Sequence, residues 1–275
     1  MGLRVNTNVI SISAQRNLSA VTGRLEGNFK RLSSGLRISS ASDDPAGLGI
    51  SERMRAQLKS LAQASRNGQD GVSLVQTAEG ALNEATSSLA RMRELSIAAA
   101  NGTLNTQDRA TLDAEFQALI TEIDRIADTT TFNGVNLLNT ASGTIDIQIG
   151  TELGETITLN LADTTQSGLG LGASGFNVTT ISAATAALAT IDTAIDSITT
   201  IRGDLGATQN RLSSAIRSIA NAEENLAAAE SRIRDVDIAR ETADLTRNTI
   251  LQQAATSVLS QANLQPQIAL SLLQG

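Results

Sequence analysis

From Ile201 to Val236 the chain places apolar or small residues at alternating spacings of four and three. The series Ile201, Leu205, Thr208, Leu212, Ala215, Ile219, Ala222, Leu226, Ala229, Ile233 and Val236 keeps that rhythm over five heptads. A repeat of this kind specifies a helix that holds one narrow stripe against a partner helix along its whole length. A second stretch, Val75, Ala78, Leu82, Ala85, Leu89 and Met92, does the same. The helix carrying it should run from Pro45 to about Ala100. A helix of about 50 residues is about 80 Å long at 1.5 Å per residue, too long for a compact domain. The expected fold class is therefore mainly α, an elongated antiparallel helical bundle or coiled coil.

Composition agrees with narrow seams. The 275 residues include no His, Cys, Trp or Tyr and only four Phe, so Ala, Leu, Ile and Val supply nearly all of the 41% apolar content. Broad globular cores draw much of their buried area from aromatics. The same absences restrict chemistry. Without Cys or His there is no ordinary zinc or copper site, no Ser–His or Cys–His nucleophile and no histidine base. No catalytic, cofactor-binding or metal-ligating residue is assigned. Adjacent carboxylates at Asp43-Asp44 read as capping, and those at Glu223-Glu224 as a solvated face, since neighbours on one helix cannot face each other across a cleft. The sequence Gly170-Leu171-Gly172-Ala173-Ser174-Gly175 spells G-x-G-x-x-G, yet no second βα unit follows to hold a ribose, so it reads as a connection.

Net charge is −7, which argues against nucleic acid as a partner. The first forty residues are locally basic, with Arg4, Arg16, Arg24, Lys30, Arg31 and Arg37 against Glu26 alone. That run is either a solvated helix face or a patch that meets an acidic neighbour. No signal peptide and no run of about 18 apolar residues is visible, so neither a cleaved leader nor a membrane span is expected.

Order is predicted at both ends. Leu18, Val21, Leu25, Phe29, Leu32 and Leu36 give the first helix a helical stripe, and Leu251, Ala255, Val258, Ala262, Ala269 and Leu272 give the last one another. Pro266 should bend or fray that last helix. Asp44 is expected to cap the second helix with Pro45 at its first position. Asn105 or Thr106 should cap a third, whose stripe is Leu112, Phe116, Leu119, Ile123 and Ile126. Eight glycines between Gly134 and Gly175 mark the irregular middle. Within it Thr144–Ile149 and Thr156–Leu161 alternate polar and apolar, predicting a β-hairpin at about 143–162. The fourth helix should begin near Ser182.

Isolated amphipathic ends are marginal in water, so they are expected to pair with each other and with further copies. Leu18, Val21, Leu25, Leu32, Leu36, Leu251, Val258 and Leu272 form the expected self-assembly seam. The drive would be apolar burial at about 25 cal/mol per Å² as an upper bound, and a head-to-tail, non-closing contact would give a filament.

Several long stretches, in order, are similar to bacterial flagellins: Leu3-Arg4-Val5-Asn6-Thr7-Asn8, Ser33-Ser34-Gly35-Leu36-Arg37-Ile38, Asp43-Asp44-Pro45-Ala46-Gly47-Leu48, Asn67-Gly68-Gln69-Asp70-Gly71, Gln76-Thr77-Ala78-Glu79-Gly80, Phe132-Asn133-Gly134, Ser231 to Asp237, and Ile250 to Ala254. The resemblance implies a filament subunit of bacterial swimming motility. It would be secreted through the flagellar type III apparatus and lie outside the cell. Residues 1–42 and 238–275 would form an inner coiled coil, and 43–237 an outer bundle without the large added domains of many relatives. Implied partners are other copies of the chain, an export chaperone, and hook-associated and cap proteins. Some relatives are recognised by Toll-like receptor 5, and Arg91, Leu95 and Glu115 stand at the matching positions. A hook–filament junction protein and a non-flagellar coiled-coil secreted protein are the alternative readings.

Overall fold

The computed structural model describes residues 7–140, 143–173 and 175–273, without the side chains of 266–273. Five helices and four short strands follow in the order α1 (Val9–Ser34), α2 (Pro45–Ala99), α3 (Thr106–Thr129), β1 (Thr131–Phe132), β2 (Val135–Asn136), β3 (Thr144–Gln148), β4 (Thr156–Asn160), α4 (Ile181–Arg234) and α5 (Ile238–Leu273). The chain forms two compact units, residues 1–56 with 225–275, and residues 57–224. The dividing line falls inside α2 and α4, not at their ends.

In the unit of residues 57–224 the three-and-four rows become a core. Val75, Leu82, Leu89 and Met92 of α2 are fully buried, with Ala78 and Ala85 between them. On α4 the same rhythm starts earlier than Ile201, at Ala184, Ala187, Ile191, Ala194 and Ile198, all buried. Small alanines in these rows let long helices approach closely, which is why aromatics are so few. Beyond Ile219 the row on α4 is only half-buried or exposed, and Val236 lies past the helix end.

On α3 the deep positions are Phe116, Ile120, Ile123 and Ala127. Leu119 and Ile126, expected in the seam, sit half-buried on its flank: two three-and-four rows run through Phe116 and Ile123, and the one through Ile120 and Ala127 faces the core. Asn105 caps α3 in a full capping box with Asp108. The C-terminal carbonyls of α2 are closed by Arg109, whose Nε donates to the Ala99 carbonyl at 2.9 Å and whose second nitrogen donates to Asn101 at 3.0 Å.

Two antiparallel pairs occupy the middle. Strands β3 and β4 pair Ile145 with Leu159 and Ile147 with Ile157, so one face is apolar and joins the helical core. This face packs closely on α2: a Cβ on Gly71 would lie 2.6 Å from Ile147 Cδ1, so a larger residue there would force Ile147 to move. Strands β1 and β2 form a tiny hairpin around Asn133 (φ 49) and Gly134 (φ 80), both left-handed. The segment 163–178 is irregular but pinned to α3. Asp124 accepts from the Gln166 backbone and side chain, Asp113 accepts from the Val178 backbone, and Phe176 packs on Phe116 with centroids 5.3 Å apart.

A stretch of α4 reaches a mean hydropathy of 1.2 and is long and apolar enough, by length and composition alone, to cross a membrane, a test that the core helix of a helical bundle also passes. Its Ala184–Ile198 row is buried in the helical core.

Leu82 lies at the centre of this core with no exposure. Leu82→Ala should cost about 2–5 kcal/mol. Urea unfolding followed by circular dichroism measures it, and a loss below about 1 kcal/mol would contradict this packing.

Candidate functional site

The unit of residues 1–56 and 225–275 is built on α1 and α5, which run antiparallel. At one end Asn8, the N-cap of α1, donates to the Ala262 carbonyl at 2.7 Å, and Ser11 donates to Asn263 Oδ1 at 2.7 Å. At the other end Leu36 bridges Asp235, and Arg37 N donates to the Arg234 carbonyl at 2.7 Å.

Between these ends the packing follows strict spacing. On α1 an unbroken three-and-four series, Ser11, Ala14, Leu18, Val21, Leu25, Asn28 and Leu32, is buried or half-buried, with Thr22, Gly27 and Arg31 half-buried beside it. On α5 the series is Glu241, Leu245, Asn248, Gln252, Ala255, Leu259 and Ala262, with Asp244 and Thr249 half-buried beside it. This is coiled-coil spacing on both helices.

Leu18, Val21, Leu25 and Leu32 therefore sit in the pairing seam as expected. Phe29 does not: it is 56% exposed, and the seam position three after Leu25 is the buried Asn28. Leu36 lies beyond α1, in the bridge to Asp235. Leu251 (42% exposed) and Val258 (56%) form a separate heptad row beside the α5 series, outside the buried seam. Leu272 continues that row, but its side chain lies outside the described residues. Through Pro266 the helix carries on.

The polar members of the seam are joined. Asn28 Nδ2 donates to Glu241 Oε1 at 2.7 Å, Arg31 Nε donates to the same oxygen at 2.8 Å, and Asn248 Nδ2 donates to Asn28 Oδ1 at 2.9 Å. Asn28, Glu241 and Asn248 are all buried. Sequence reasoning missed them by following hydrophobicity where spacing was the better guide.

The turn from α1 into α2 is a second polar cluster. Asp43 Oδ2 accepts from the backbone N–H and hydroxyl groups of both Ser39 and Ser40 at 2.9–3.1 Å. The Ser40 hydroxyl, then the Ser39 and Ser40 amides, hold its carboxyl down at a pKa of about 2. Asp44 caps α2 as expected, accepting from the N–H groups of Ala46 and Gly47. Arg234 reaches Glu52 at 2.6 Å.

In the other unit Arg91 and Glu115 are exposed and paired at 2.8 Å, with Glu94 also on Arg91 at 2.9 Å. Leu95 is separate from them in character: it is buried in the core.

The two chain ends match known proteins. Residues 5–142 fit the model of the bacterial flagellin N-terminal helical region, and residues 188–273 fit that of the C-terminal helical region. The chain belongs to the flagellin family. It is 47% identical to the flagellin of Halalkalibacterium halodurans, over 98% of this chain and 99% of the relative. It is 43% identical to a flagellar filament core protein of Treponema maltophilum, with the same coverage. Among solved structures the Bacillus cereus flagellin aligns with a TM-score of 0.52 at 37% identity, covering 60% of this chain and 94% of that one.

This flagellin is a structural subunit that polymerises into the bacterial flagellar filament. Its recognisable signatures have a local meaning in the fold. The stretches around Ser33–Ile38 and Ser231–Asp237, far apart in sequence, meet in the backbone bridge that closes the α1–α5 pair.

Because Asp43 is lowered from 3.8 to about 2 in the folded flagellin, its contribution is present above pH 4 and is lost as pH falls toward 2. Carboxyl titration by NMR should find its midpoint near 2. Asp43→Asn should remove part of the acid sensitivity between pH 4 and 2, and a midpoint near 3.8 would dissolve the cluster's assigned role.

Proposed function

We propose that the α1–α5 unit is the polymerising element of this flagellin and that the remainder of the chain faces outward. One observation carries the proposal. The paired helices cover their seam yet leave Val9, Ile10, Ile12 and Phe29 of α1 and Ile238, Ile250, Leu251, Val258 and Leu264 of α5 exposed. So many large apolar side chains on one helix pair exceed what a soluble monomer leaves uncovered, and further copies of the chain are the natural cover. Residues 1–42 and 238–275 would then form the filament's inner coiled coil and 43–237 its outer bundle. The role is structural, without catalysis, and the working location is outside the cell after type III export.

Partners other than self come by family resemblance. The export chaperone would hold the exposed row of α5 before assembly, since that row needs cover inside the cell as well. Hook-associated and cap proteins would meet the same terminal helices at the filament ends. Toll-like receptor 5 would engage Arg91 and Glu115, with Leu95 supporting them from the core.

Leu251→Glu and Val258→Glu alter exposed positions, so both variants should keep the parent's helix content. Each should raise the concentration needed for filament growth by at least about tenfold, because a carboxylate would be buried without a partner. Sedimentation of seeded polymerisation reads this, and growth at the parent's concentration would remove α5 from the assembly surface.

Exposed ion pairs add little to stability, so Arg91→Ala should fold as the parent does. Its binding to the receptor ectodomain should weaken by about tenfold or more. Equal binding would end the receptor reading at this position.

A further inference from the structure

We infer that the Asn28–Glu241–Asn248 ladder, with Arg31 on Glu241, selects the register in which the two terminal helices pair. Apolar burial cannot make that choice here. Helix α5 carries Ile250, Leu251, Val258 and Leu264 outside the seam, while Glu241 and Asn248, each 8% exposed, lie inside it. If hydrophobicity alone set the pairing, α5 would turn its leucine and valine row toward α1 and leave the carboxylate in water. The observed arrangement does the opposite.

The cost of the opposite arrangement explains its selectivity. A buried carboxylate or carboxamide is tolerated only with its partners in place, and those partners come from the facing helix. Glu241 Oε1 receives two donors from α1, one from Asn28 and one from Arg31. Asn28 then uses its own oxygen to accept from Asn248, one heptad along α5. Shifting α5 by one heptad would set Asn248 where Glu241 stands and Ala255 where Asn248 stands. Arg31 would lose its carboxylate and Asn28 its second amide. Elsewhere the seam is apolar, with Leu18, Val21, Leu25 and Leu32 on α1 and Leu245 and Leu259 on α5 beside the alanines, and apolar contacts are non-directional. Polar residues at seam positions are known to fix register at some expense of stability, and this ladder has the composition and burial for that task.

The absence of cysteine from the chain makes the test direct. Ser11 and Asn263 touch in the observed register, so Ser11→Cys with Asn263→Cys reports it. Ser11→Cys with Leu270→Cys reports that shift of one heptad. Both pairs are placed in the full-length parent and in an Asn28→Leu, Glu241→Leu, Asn248→Leu background. The soluble chains are oxidised at low concentration, and intrachain disulfides are counted on non-reducing gels.

In the parent the native pair should close about tenfold faster or more than the shifted pair, a preference of about 1.4 kcal/mol. In the apolar background the two pairs should close at similar rates, with helix content retained. An apolar background that keeps the parent's preference overturns the inference. So does one in which neither pair closes, for the ladder would then hold the helices together and not choose their register. Closure within one chain needs no polymer, so failure of the assembly reading leaves this test intact.

Discussion

Everything in this fold depends on which residues occupy the three-and-four positions where helices meet. In the unit of residues 57–224 those positions hold Val75, Leu82, Leu89, Met92, Ile191 and Ile198, and burial of their apolar area stabilises the unit by itself. On α5 the same positions hold Leu245 and Leu259 but also Glu241, Asn248, Gln252 and two alanines. A seam of that kind buries less apolar area and relies in part on hydrogen bonds. Other aliphatics of α5, Ile250, Leu251 and Val258 among them, lie exposed outside it. One geometric rule thus produces a self-sufficient core in one unit and an unsaturated surface in the other.

The rule also explains what could be read from the sequence. The α2 row was legible because hydrophobicity and spacing agree there at every step, and the bounds of α2 and α4 follow from Asp44-Pro45 and from the uninterrupted repeat. At the ends the two signals diverge. Phe29 is the apolar choice and Asn28 the correctly spaced one; Leu251 and Val258 are apolar, but the heptad from Glu241 runs through Asn248 and Ala255. A pattern search that accepts only apolar residues must then select the outward face. Strict counting from Leu25 would have found Asn28, although its partners on α5 required coordinates. The β1–β2 hairpin had a signal in Asn133-Gly134, a dipeptide suited to two left-handed residues in a row. Nothing in the sequence marked Arg109 as the closure of α2, because the carbonyls it meets become neighbours only once α2 and α3 fold back on each other.

The glycine-rich segment carries a related lesson about motifs. Gly170 and Gly175 adopt left-handed φ values of 73° and 90°, which suits a phosphate loop and a tight surface turn equally. What separates the two is the surroundings. Here the amides of Gly170, Leu171 and Gly172 already donate to the carbonyls of Ser167 and Gln166, so they close a local turn. On either side of it Asp124 and Asp113 of α3 accept from the Gln166 and Val178 amides and fasten the segment to the bundle.

Charge is divided along the same line as packing. Residues 57–224 carry 19 acidic against 9 basic side chains, a net −10, whereas residues 1–56 with 225–275 carry 12 basic against 9 acidic, a net +3. If copies assemble through their terminal helices, as proposed, each brings a net-acidic unit with it, and like charges repel. Repulsion between exposed charges falls off over about 8 Å at physiological salt, while apolar burial is not screened at all. The terminal unit also spends part of its basic excess internally, since Arg31 lies on Glu241 and Arg234 on Glu52. On the proposed assembly reading, the uncovered aliphatics of α1 and α5 would be what outweighs the repulsion. A chain with Leu251 and Val258 in the seam and Glu241 outside it would pair its own ends more tightly, and would keep less apolar surface with which to bind the next copy.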